Sequence, residues 1–489
     1  MAALLVKGGC LYTADAAAGV VPGGAVLAVD GRITAVGPDA LAAAPADAQV
    51  LDATGMMVLP GFVNAHWHDL FAMRLPFRGA LRTPHDRDDK PAFMALGGDL
   101  PAVSVAFDSF TDRIGGLTPD EAAAIARYSM WTQLRTGVTT LGDVGSFNRP
   151  DALADAALHL GMRASVSTWA SDAVCAPGET RFRRTRDADT LLADLDALLA
   201  RAAADTTGLL KARPTSVYGV NMTDELGRGF AELVARHGVP FATHVGALRN
   251  EYDASLVYHG ASPVRRFADL GLLGPGFTAV HTAFVDDDER KLLVDSGVHI
   301  SVSPAKYGHA GESTLTETRA VPELRRAGLE VSLSTDGAAL PVPGMAEAMK
   351  AAYQVVNEMY ADPTEVLPTD ALAMATRIAA RGLDWADEIG SVEVGKQADL
   401  VLIRADDWRY LLNPRPLEGF LALGGSADVD TVVVAGRVLV RGGRATAVDE
   451  TRLELDYLDA VGSFSVRCLG IPPEVVARMT ARRRENVEG

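Results

Sequence analysis

At 489 residues the chain is too long for one simple core and long enough for a large barrel with a smaller domain beside it. A net charge of −17 disfavours nucleic acid as a partner, and no apolar run approaches the roughly 20 residues that a membrane span needs. Cys10, Cys175 and Cys468 are scattered without ligand spacing, which argues against a disulfide framework and fits a reducing cytoplasm.

The first residues lack a charged leader and a cleavage site, so they read as a first strand. Residues 3–13 and 24–37 are β-rich. Val26-Leu-Ala-Val29 and the run Ile33 to Val36 flank Asp30-Gly31-Arg32, a hairpin signal. The same pattern returns around Ala435-Gly436-Arg437, and residues 390–403 add further strand character. Hairpins at both ends predict one small β-sandwich domain built from residues 1–58 and 386–450. Residues 451–489 form a helical tail.

Between them, residues 59–385 alternate strand and helix. Candidate strands are 61–68, 137–144, 163–170, 214–220, 240–246, 277–284, 299–304 and 330–336. Helices rich in Ala and Leu separate most of them, over 119–136, 187–204, 222–237 and 286–297. Thr118-Pro119-Asp120-Glu121 is a helix start, with Pro at the first position and acids in the first turn. Eight such strands predict an α/β fold, a TIM-like (β/α)8 barrel. Residues 69–117 are a long, turn-rich excursion from the end of the first strand, placed as a lid.

Barrel chemistry sits at the C-terminal ends of the strands. The first candidate strand ends in His66-Trp67-His68. Residues two apart on a strand share a face, so its imidazoles form half of a metal site. The fifth ends in His244, the sixth in His281 and the eighth in Asp336. Beside the strand ends, Trp67, Asn221, Lys306, Tyr307 and His309 are candidate substrate-binding residues.

Pro60-Gly-Phe-Val-Asn-Ala-His-Trp-His68, Thr243-His244, Val280-His281 and Ser334-Thr-Asp-Gly337 together resemble the amidohydrolase superfamily. Within it the chain is similar to the branch of cytosine deaminase, S-adenosylhomocysteine deaminase and triazine hydrolase. The resemblance implies one divalent metal ion on His66, His68, His244 and Asp336, with His281 assisting the attacking water. It implies zinc foremost, with ferrous iron suiting the same ligands. It also implies catalysis by Asp336 and His281, a small-molecule substrate and a homodimer or larger homo-oligomer. Binuclear relatives carry a lysine at the end of the fourth strand. Here that strand ends Tyr218-Gly-Val-Asn221 with Lys211 before it, so a single metal is expected.

Two positions depart from the pattern. Deaminases of this branch carry Glu three residues after the fifth-strand histidine, where this chain has Ala247. Glu251 is the nearest carboxylate and reads as a residue of the following helix. After the seventh strand, Pro304-Ala-Lys306-Tyr307 replaces Pro-x-Ser-Asn. The expected function is therefore a mononuclear metal-dependent hydrolase of a non-peptide C–N bond, in an amide, urea, carbamate or substituted amine. The alternatives are a heterocycle aminohydrolase releasing ammonia and a catalytically silent metal-binding homologue.

Overall fold

A computed structural model describes residues 2–17, 19–69, 98–337, 344–411 and 415–488. Eight parallel strands run β1 Phe62–Trp67, β2 Val138–Asp143, β3 Arg163–Val166, β4 Thr215–Tyr218, β5 Phe241–Val245, β6 Phe277–His281, β7 His299–Val302 and β8 Val331–Leu333. Neighbours pair in chain order. Between β3 and β4 the ladder is broken in two. Arg163–Val166 pairs with Leu210–Ala212, and Trp169–Ala170 pairs with β4. β8 closes on β1 through Asn64, whose amide donates to Thr335 Oγ1 at 2.8 Å and accepts from the Thr335 N–H at 3.1 Å.

The helices form where the apolar spacing predicts. The helix Pro119–Arg135 starts with a full capping box, Thr118 and Glu121 each satisfying the other's backbone N–H. Its buried stripe, with Ala122, Ile125, Ala126, Met130 and Leu134, faces the main core. All eight barrel strands are buried along their length. That is the pattern of a parallel sheet covered on one side by helices and on the other by its own interior.

Strands from both ends of the chain join into one nine-stranded mixed sheet. Met56–Pro60 lies in that sheet, antiparallel to Leu400–Arg404, and one residue later the chain enters the barrel as β1. A buried ion pair locks sheet to barrel. Arg163 of β3 grips Asp399 with Nε at 3.0 Å and Nη2 at 3.1 Å. Both side chains are almost wholly buried. Asp399→Ala should destabilise the protein by about 3–5 kcal/mol, because it strands a buried guanidinium. Arg163→Met combined with Asp399→Leu should recover much of that loss in denaturant unfolding.

One segment differs from expectation. Within the excursion, Leu100–Ile114 is a helix, not turns. Leu100, Val103, Phe107 and Ile114 are buried from it, a helical spacing masked by the turn-rich stretch before it. Residues 70–97, most of the expected lid, lie outside the described residues. The tail is helical, as Glu450–Leu469 and Pro473–Glu488, and its Tyr457 stacks on Tyr128 with ring centroids 4.5 Å apart. Among the described residues no helix is long and apolar enough to cross a membrane, and the three cysteines form no disulfide.

Candidate active site

Alternation along β1 turns His66 and His68 to one face, and His244, His281 and Asp336 arrive from the ends of β5, β6 and β8. His68 Nε2 lies 3.3 Å from His244 Nε2 and 3.4 Å from Asp336 Oδ1, and His281 Nε2 lies 3.6 Å from Asp336 Oδ2. The backbone is strained where it delivers two of these groups. His281, Thr282 and Asp336 take left-handed φ values of 76°, 55° and 53°. Such residues cost about 1–3 kcal/mol each and persist only where neighbours fix them. Here the Asp336 N–H donates to the His66 carbonyl at 3.1 Å and the Thr282 N–H to the Val245 carbonyl at 2.8 Å. Gly337 makes the closure possible, since a Cβ there would meet His68 Cβ at 2.5 Å.

Electrostatics complete the preparation. Burial holds all four imidazoles below the usual histidine range, His68 down to about 3, so each is neutral and able to ligate. Burial would push the Asp336 carboxyl up, but Lys306 and the histidines outweigh it and hold it well below the usual carboxylate range. Lys306 is itself buried, with Nζ 3.3 Å from Asp336 Oδ2 and 2.7 Å from both carboxylate oxygens of Glu312. Burial opposes its charge, while Asp336 and Glu312 more than restore it. Around this centre, His244 Nδ1 is 2.6 Å from the Val217 carbonyl and His281 Nδ1 is 2.8 Å from the Tyr307 hydroxyl. Partners of this kind fix a histidine's tautomer and ring plane.

The structure thus brings Lys306 and Tyr307 to the histidine cluster, and leaves the other three candidate residues outside it. Trp67 packs in the main hydrophobic core, because the alternation that turns its two neighbours inward turns it outward. His309 is exposed on the helix Pro304–Ala310 and bonds that helix's own Ala305 carbonyl. Asn221 sits in a 3-10 turn after β4, where its amide donates to Ser104 and Ala173. Glu251 opens the helix Glu251–His259 and accepts from the Ala247 N–H at 2.8 Å. Burial lifts its carboxyl to about 7 against three backbone N–H donors from Gly246 to Leu248. Lys211 reaches Asp384 and Glu388 instead of the cluster.

Residues not anticipated from sequence are Glu312 and an aromatic wall. The Tyr218 ring stacks on His244 at 4.9 Å, the Trp169 ring lies 5.5 Å from His68, and Phe107 packs against both. An aromatic at the C-terminal end of the third candidate strand was the available signal.

The residues fit a divalent ion. Two overlapping groups, His66 with His244 and His281, and His66 with His68 and Asp336, place their ligand atoms within 4.8 Å of one another. Both ring nitrogens of His66 and Nδ1 of His68 are buried without a hydrogen-bond partner. Two nitrogens about 2.1 Å from a tetrahedral zinc stand about 3.4 Å apart, close to the His68–His244 separation. Lys211 lies elsewhere, so nothing at the end of β4 provides a second, lysine-bridged position.

Neutral imidazoles and an ionised carboxylate gathered at the strand ends of a parallel barrel define a metal-dependent hydrolase. By sequence, the chain belongs to the amidohydrolase family, which it matches over residues 57–439, and so is a hydrolase of carbon–nitrogen bonds. A 5-methylthioadenosine/S-adenosylhomocysteine deaminase of Moorella thermoacetica is 30% identical over 447 residues, spanning 88% of this chain and 93% of its own. One from Syntrophobacter fumaroxidans is 28% identical over 465 residues, spanning 93% and 97%. The crystal structure of an adenosine deaminase from Xanthomonas campestris with bound zinc superposes with a TM-score of 0.78 at 23% identity, covering 95% of this chain and 98% of that one. That likeness shows a shared fold. The relatives favour the ammonia-releasing alternative over the amide or urea hydrolase expected from Ala247. Ala247 does not leave the cluster without proton donors, since the Lys306 ammonium and the Tyr307 hydroxyl stand beside it.

Proposed function

We propose that this protein is a zinc-dependent aminohydrolase that replaces the amino group of a purine-like heterocycle with oxygen and releases ammonia. The observation that carries this is the end-to-end relatedness to deaminases, 30% identical over 93% of the relative's length, joined to a complete histidine–aspartate cluster. His66, His68, His244 and Asp336 would hold a single ion. When bound, the ion lowers the pKa of water from about 15.7 to about 7 and so supplies a nucleophile at neutral pH. Asp336 takes the proton of the attacking water and returns it to the departing amine. Its carboxyl, held well below the usual carboxylate range, is ionised at neutral pH. His281, oriented by Tyr307, hydrogen-bonds the attacking oxygen. The Lys306 ammonium, 3.3 Å from Asp336, faces the charge that develops on the substrate.

The test is ammonia release by the zinc-loaded protein from S-adenosylhomocysteine, 5′-deoxyadenosine and other aminated purines. Turnover of at least one is expected. Ala247 favours a second reading, hydrolysis of an amide or urea. If no aminated heterocycle yields ammonia while a urea or carbamate is cleaved, that second reading takes its place.

A further inference from the structure

The wall beside the histidine cluster contains a polar group that nothing among the described residues satisfies. Trp169 is 4% exposed, and its indole N–H is buried without a hydrogen-bond partner. The Trp169 ring stands 5.5 Å from His68 and 4.7 Å from Phe107, and Phe107 continues the wall to Tyr218, 6.1 Å away and nearly parallel to it. The position is built with care. β3 breaks after Val166, and Ser167 holds the break through Asp143 at 3.1 Å and Thr215 at 2.8 Å, so that Trp169 rejoins the barrel beside β4. Gly145 permits this, since a Cβ there would lie 2.4 Å from the Trp169 backbone nitrogen.

An indole N–H only donates. Buried without a partner it costs about 1–3 kcal/mol, and such a group in a native protein calls for an explanation in strain, a catalytic role, a water or a bound group. We propose that Trp169 is a specificity residue. A planar heterocycle packs against the Trp169–Phe107 wall, and the indole N–H donates to one acceptor on its edge, a ring nitrogen or carbonyl oxygen. This rests on the proposed deaminase function, and it adds a demand on the substrate. It must present a lone pair on the edge facing β3, and an isostere with C–H there should be rejected.

The experiment measures binding by calorimetry, so it does not depend on turnover. The ligands are adenosine and its 1-deaza, 3-deaza and 7-deaza analogues, titrated into the zinc-loaded protein and its Trp169→Phe variant, both in an Asp336→Asn background so that adenosine binds without being consumed during the titration. With Trp169 present, one analogue should bind about tenfold to hundredfold more weakly than adenosine. Trp169→Phe should weaken adenosine by a similar factor and leave that one analogue unchanged, so the two losses do not add. Phe107→Leu thins the wall but keeps the N–H, and should weaken all four ligands alike. Zinc content and melting temperature show whether each variant is folded. Equal weakening of all four ligands by Trp169→Phe, no weakening, or no discrimination among the analogues with Trp169 present would overturn the proposal. So would failure of all four to bind. Ammonia release is scored separately. A wild type that deaminates while Trp169→Phe shows no selective loss removes the role of Trp169 and leaves the function standing. Selective loss without any ammonia does the reverse.

Discussion

His66→Ala is expected to purify without metal and without detectable activity, while its melting curve shows an intact barrel. His66 belongs to both groups of side chains able to hold an ion, and both its ring nitrogens are buried with no protein partner. No neighbouring group gains a ligand position when it is removed. Loss of a partner one step behind a ligand costs about 10–100-fold in metal affinity. Loss of a ligand shared by both groups should exceed that, and elemental analysis after dialysis should find zinc near zero. Retained zinc and retained turnover would displace the site from this cluster.

Asp336→Asn should separate binding from chemistry. The amide keeps an oxygen where Oδ1 stands, so zinc content should stay close to that of the wild type. It loses the negative charge and the capacity to take a proton, so turnover should fall by about 10³-fold, within the range for a single positioned general base. The Lys306 ammonium would keep Glu312 as its partner, which limits disturbance of the surroundings. A variant with turnover within tenfold of wild type would take Asp336 out of the proton path and leave it a ligand only.

Most of the barrel was legible because its signals are local. Thr118 and Glu121 cap a helix within four residues, and the run from Phe62 to His68 reads as buried strand by composition alone. The gathering of His66, His68, His244, His281 and Asp336 was legible from one rule, that side chains at strand ends share a mouth. Alternation along the strand, which turns His66 and His68 to one face, turns Trp67 to the other, into the core. Illegible were the features made by packing between distant segments. Trp169 meets Phe107 from a helix more than fifty residues earlier, and Lys306 meets Asp336 across two strand ends. Left-handed backbone at His281 and Asp336 also leaves no clear mark, because His and Asp, though enriched there, adopt a positive φ too rarely for sequence to announce it. Glu312 was hidden differently. It follows Gly311, which ends the helix in a left-handed turn, and that reversal returns the carboxylate to Lys306.

The passage from Met56–Pro60 directly into β1 has a consequence for the order of events at the ribosome. The strand that flanks Met56–Pro60, Leu400–Arg404, is synthesised only after every barrel strand. At about 5–20 residues per second, the early strand waits on the order of tens of seconds with an open edge. Its continuation carries His66 and His68. The nascent barrel therefore gathers around a first strand whose upstream extension is paired on one side only, with Ala3–Tyr12. Premature truncation before residue 400 should leave that edge permanently open and the protein prone to capture by chaperones.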